Sequence, residues 1–82
     1  MAQPLTDREC QVLKLMCLGM TNEEIGLELC ITVKTVEYHV ANILGKLGAA
    51  NRTQAVVAAL ERGWVELGDL REDKGLEVGK DY

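Results

Sequence analysis

Apolar and polar positions alternate along most of this chain with the period of an α-helix, and start and stop signals bound each run. Thr6-Asp7-Arg8-Glu9 has the form of a capping box, with Thr at the N-cap and Glu three residues on. Val12, Leu13, Met16 and Met20 follow at helical spacing, and Gly19 reads as a stop because it accepts left-handed backbone after a helix. Thr21…Glu24 repeats the box and opens a short helix with Ile25, Gly26 and Leu29 inward, broken at Cys30-Ile31. Gly26 reads as a place where a neighbouring helix approaches closely, or as a tolerated glycine costing about 1 kcal/mol.

Thr32 opens a third helix that runs to about Leu47, with Gly48 as its stop. Val36, Val40, Ile43 and Leu47 fall at i, i+4, i+7 and i+11 and form one apolar stripe; Lys34, Glu37, Tyr38, Ala41 and Gly45 occupy the opposite face. Asn51…Gln54 opens a fourth helix that Gly63 closes, after which Trp64 and Val65 fold back onto the core. No residue spacing suggests paired strands. The expected architecture is all-α, a compact four-helix unit over residues 1–66. Residues 67–82, with three glycines among eight charges, read as a flexible extension with one weak turn of helix near Leu70–Lys74, or alternatively as a segment that docks on the domain or a partner.

The second and third helices, joined by so short a turn, have the form of a helix-turn-helix, whose second helix enters the DNA major groove. Composition tempers that reading. The 82 residues allow one domain, 48% apolar and 27% charged, with no Phe, so the core is aliphatic. Net charge is −4, where nucleic-acid domains usually carry a basic excess. Residues 1–66 hold six basic and eight acidic side chains and residues 67–82 three and five, so the acidity is spread along the chain. No apolar run nears the roughly 20 residues of a membrane span and the N-terminus has no signal pattern, so a cytoplasmic protein is expected. Cys10, Cys17 and Cys30 are odd in number and lack CxxC spacing, which favours small buried thiols in a reducing compartment over disulfides or zinc. His39 is the sole histidine and has no nucleophile or second ligand at a useful spacing; a packing or phosphate-contacting role fits it, and neither an enzyme nor a cofactor is expected.

Leu5-Thr6-x-Arg8-Glu9, Val12-Leu13, Gly19, Asn22-x-Glu24-Ile25, Leu29, Thr35-Val36-x-x-His39, Ile43-x-x-Lys46-Leu47 and Asn51-Arg52-Thr53 together resemble the LuxR-type (GerE- or NarL-type) DNA-binding domain. The resemblance covers Leu5–Val65. It implies a bacterial transcription regulator that binds double-stranded DNA through a recognition helix at about residues 33–47, commonly as a homodimer and commonly as the effector end of a longer chain. RNA polymerase or an upstream regulatory domain would be further partners. Cys30 stands in the turn where that family often has Gly and reads as a small residue in a tight bend.

Residue roles follow from placement on the helices. Base contact falls to Glu37, Tyr38 and Ala41 on the open face of the third helix. Backbone contact falls to Thr21, Asn22 and Thr32 at helix N-termini, with Lys34, Thr35, His39 and Lys46. Arg52 either touches phosphate, joins a dimer surface, or pairs with Glu9 structurally. Residues 55–60 are six apolar residues in a row, too many for one buried stripe, so Arg52, Val56, Val57, Ala59 and Leu60 are the expected dimer interface. Glu37 departs from the family, in which a basic residue usually follows the Thr-Val pair, and Ala41 stands where a basic or polar residue is common. Both weaken electrostatic grip, which leaves an alternative open: the same scaffold serving as a protein-interaction module with DNA binding weakened or lost.

Overall fold

A computed structural model describes residues 5–65; the extension at 67–82 lies outside the described residues. Those residues form four helices and no strand: α1 (Asp7–Cys17), α2 (Asn22–Leu29), α3 (Val33–Leu47) and α4 (Arg52–Glu61). Every start follows the sequence signal. Thr6 and Thr21 form reciprocal capping boxes with Glu9 and Glu24, the Thr32 hydroxyl accepts from the Thr35 N–H at 3.2 Å, and the Asn51 side chain accepts from the Gln54 N–H at 2.9 Å.

Each helix ends at a left-handed residue with the following N–H bonded back into the last turn. The residues are Gly19, Cys30, Gly48 and Gly63, and the returning bonds run from Met20 to Leu15, Ile31 to Gly26, Ala49 to Leu44 and Trp64 to Ala59. Cys30, at φ 60°, is the one non-glycine in this role among the described residues. Met20, expected on the α1 stripe, therefore lies in the turn beyond α1. Its N–H closes the helix end while its side chain stays half-buried.

The core is a single aliphatic cluster. Val12, Leu13, Ile25, Val36 and Ile43 are fully buried, and Met16, Val40, Leu47, Ala55 and Ala59 surround them. Each such aliphatic side chain contributes about 1.5–3 kcal/mol by leaving water. Long α3 packs against α1, α2 and α4, so its buried stripe is the spine of the domain. Gly26 is needed for a reason different from the expected helix contact. A Cβ there would lie 2.7 Å from the Ile31 carbonyl oxygen, so the α2–α3 turn itself crowds it. Val65 is buried and Trp64 half-buried after the Gly63 turn, with the Arg62 guanidinium 5.4 Å over the Trp64 ring and bonded to the Leu47 carbonyl at 3.1 Å.

Candidate nucleic-acid interface

The α2–α3 corner fixes how α3 projects. Cys30 reverses the chain, Ile31 bonds back to Gly26, and Thr32 caps the next helix, its hydroxyl 3.0 Å from that of Thr35. Capping uses the Thr35 N–H and leaves the first-turn N–H groups of Val33 and Lys34 without intrahelical acceptors, at the positive end of a 15-residue helix.

Burial of Val36, Val40, Ile43 and Leu47 turns the opposite side of α3 to solvent. Lys34, Glu37, Tyr38, Ala41 and Gly45 are all exposed there, so the three side chains read as base-contacting share one open face. Tyr38 is 65% exposed and meets the half-buried His39 ring edge-on at 5.6 Å. The His39 Nδ1 is buried with no hydrogen-bond partner, so His39 is partly a packing residue, as its position beside the stripe suggests. Around Gly45 a Cβ would meet nothing within 4 Å, so this part of α3 is smooth and open.

The residues read as phosphate contacts divide into two groups. Thr21, Thr32 and Lys34 are exposed and Thr35 is half-buried at the two helix starts. Asn22 is tied down: its Oδ1 accepts from the Arg52 guanidinium at 2.5 Å, and Arg52 also donates to the Met20 carbonyl at 2.7 Å. Arg52 thus has the structural role, but with Met20 and Asn22 as partners in place of the expected Glu9. It anchors the start of α4 to the α1–α2 corner.

Glu9 is engaged instead by Lys46, whose Nζ lies 2.7 Å from Oε1. Glu9 is only 4% exposed. Burial pushes its pKa up, but the Lys46 hydrogen bond, the Thr6 backbone N–H and the nearby positive charge outweigh that and leave the carboxyl below its ordinary value. The pair fastens α3 to α1 and neutralises one of the two cations on α3. Lys46, expected at phosphate, is therefore first a structural residue, with a side chain 34% exposed. The box Thr6…Glu9 signals only a helix start; nothing in the sequence marks a partner 37 residues away.

The expected dimer surface is also redistributed. Ala59 is fully buried in the core and so offers no side chain to a second copy, whereas Arg52 is half-buried and bonded to Met20 and Asn22. Val57 is 47% exposed and Val56 and Leu60 are half-buried. Val56 and Val57 border an open groove of about 380 Å³ lined also by Met16, Met20, Arg52 and Thr53. None of the three cysteines is in a disulfide, but they are not the buried thiols expected: Cys10 and Cys17 are half-buried and Cys30, in the α2–α3 turn, is exposed. Burial pushes the Cys17 thiol up to about 11 and, helped by Asp7 and Glu9, raises that of Cys10. No cluster that could hold a metal ion occurs among the described residues, and none of their helices is long and apolar enough to cross a membrane.

Comparison with known proteins matches residues 3–59 to the bacterial regulatory proteins of the luxR family. The chain is 52% identical over 63 residues to the transcriptional regulatory protein DegU of Brevibacillus brevis, covering 77% of this chain and 27% of that protein. It is 54% identical over 57 residues to the transcriptional regulatory protein LiaR of Bacillus subtilis, covering 70% of this chain and 27% of that protein. It thus spans about a quarter of the length of these relatives. Among solved structures, the transcription factor GerE superposes with a TM-score of 0.72 at 35% identity, over 77% of this chain and 94% of that one. The VqmA dimer of Vibrio cholerae, a LuxR-type receptor, gives a TM-score of 0.74 at 34% identity, over 85% of this chain and 33% of that one.

Proposed function

The chain belongs to the luxR family of bacterial regulatory proteins, and from that premise we propose that residues 5–65 bind double-stranded DNA with α3 in the major groove and regulate transcription in the bacterial cytoplasm. One observation carries the reading: the exposed face of α3, with Lys34, Glu37, Tyr38 and Ala41, stands on a capped helix whose other side is locked into the core. Glu37 accepts from a cytosine N4 amino group, Ala41 touches a thymine methyl and Tyr38 stacks on sugar or base. Thr21, Thr32, Lys34, Thr35 and the open N–H groups of the α3 first turn grip phosphates, with His39 beside them and Asn22 held in place by Arg52. Two copies pair through the exposed side of α4 at Val56, Val57 and Leu60, a reading supported by the groove there and by the VqmA dimer. The chain acts by binding rather than by catalysis, and further domains of a longer protein, or RNA polymerase, are its other partners.

The rival reading, a protein-interaction module on this scaffold, is favoured by one observation. Glu9 neutralises Lys46, which leaves Lys34 to offset Glu37 on α3. Binding-site selection from random duplex DNA at low salt, followed by anisotropy against salt, separates the two. The DNA reading expects enrichment of paired half-sites about one helical turn, ~34 Å, apart. It expects Lys34→Ala to reduce the slope of log affinity on log salt by about one, and Glu37→Ala to change the preferred sequence. A folded, dimeric chain that neither enriches a sequence nor binds DNA with salt sensitivity favours the protein-interaction reading, and binding without enrichment leaves only a nonspecific phosphate grip.

A further inference from the structure

Glu37 has no part in holding the fold. It is exposed on α3, caps no helix, and forms no side-chain hydrogen bond or ion pair among the described residues, although Lys34 stands one turn before it. Beside a polyanion such a carboxylate is repelled, so it contributes to binding only where it meets a hydrogen-bond donor. A carboxylate accepts hydrogen bonds and donates none. In the major groove two base groups can supply it, the amino groups at cytosine N4 and adenine N6, whereas guanine and thymine present acceptors. Adenine also sets the N7 lone pair beside its amino group, and a carboxylate approaching there meets like charge. Beside the cytosine amino group lies only C5–H. Cytosine therefore suits Glu37 best.

One hydrogen then carries the recognition. Of the two on N4, one pairs with guanine and the other faces the groove. Methylation at N4 that preserves the pair replaces the groove-facing hydrogen. It removes the donor and sets a methyl group against a carboxylate that has left water. Methylation at C5 leaves the N4 donor in place. Room for that methyl comes from small residues: Ala41 is exposed one turn further along α3, and around Gly45 a Cβ would meet nothing within 4 Å. We propose that Glu37 makes binding depend on the chemical form of one cytosine in the site, so that N4-methylation there excludes the chain and C5-methylation does not. The inference rests on α3 lying in the major groove, as proposed above.

The test compares site selection by the full chain with selection by Glu37→Ala, which marks the position that Glu37 reads. Synthetic duplexes of the selected site then carry cytosine, N4-methylcytosine or 5-methylcytosine at that position, and anisotropy measures each affinity. The unaltered chain is expected to select cytosine there, to lose about tenfold or more on N4-methylation, and to stay within about threefold on C5-methylation. Glu37→Ala is expected to bind all three duplexes within about threefold of one another, and equal thermal midpoints by circular dichroism confirm its fold. Four results overturn the inference and leave DNA binding standing: no position marked by Glu37→Ala, a base other than cytosine at the marked position, an N4-methylated duplex bound as tightly as the plain one, or a tenfold loss on C5-methylation. A tenfold N4-methyl loss that persists in Glu37→Ala overturns it too, because the discrimination is then steric and does not pass through the carboxylate. Absence of any enriched sequence with the unaltered chain overturns the sequence-reading function and this inference with it.

Discussion

The two capping boxes are nearly the same object locally and very different ones in the fold. Thr6 and Thr21 have backbone angles within two degrees of each other, and each accepts a 3.1 Å bond from the N–H of its glutamate. Each glutamate returns the favour at 3.0 and 2.8 Å. Yet Glu9 is almost wholly buried and holds Lys46 of α3, whereas Glu24 stays in solvent on the outward face of α2. A helix-start signal fixes where the backbone turns; the surroundings decide whether its carboxylate is a local cap or a tie between distant elements.

The largest expected effect sets one box against the other. Glu9→Ala should cost about 2–4 kcal/mol, since it removes a bond to the cap and leaves Lys46 without its carboxylate. Glu24→Ala should cost about 0.5–1 kcal/mol, the usual worth of an exposed cap. Urea unfolding monitored by circular dichroism measures both, and equal losses would break the comparison. A Glu9/Lys46 double-mutant cycle sharpens it, with an expected coupling of about 1–3 kcal/mol.

Next in size is the response to acid. Folding lowers the Glu9 pKa from its ordinary 4.5, so its contribution is complete above that value and is lost as pH falls through the lower folded value. The midpoint of urea unfolding should therefore fall steeply below about pH 4.5 in the unaltered chain and less steeply in Glu9→Gln. Parallel profiles for the two proteins would mean that other carboxylates govern the acid limit.

The smallest effect lies at the far end of the second box's helix. Cys30 holds a left-handed conformation at φ 60°, which costs a side chain about 1 kcal/mol more than glycine. Cys30→Gly should raise the thermal midpoint by about 4–8 °C, read by calorimetry. A lower midpoint would show that the cysteine side chain contributes packing at the turn.

Much of this was legible in the sequence. All four helices, their N-caps and the glycine stops follow from Thr, Asn and Gly placed around periodic apolar runs, because caps and stops are local chemistry. The open face of α3 was also legible, since the Val36–Leu47 stripe dictates which side is left over. What failed to show was every polar tie between elements. Glu9 finds Lys46 rather than Arg52, and Arg52 finds Met20 and Asn22, because such pairings depend on how helices cross and carry no spacing signal. Ala59 read as surface within a continuous apolar run, yet it is fully buried in the core.

Those ties have a consequence for engineering. Glu9–Lys46, Arg52 to the α1–α2 corner, and Arg62 to the Leu47 carbonyl close the polar groups of all four helices against one another. Leu5 and Val65, on either side of the four helices, are buried in the same aliphatic core. The unit therefore closes on itself at both ends. In a chimera, a graft cut inside either residue should lose core packing and stability, whatever surface it is spliced to.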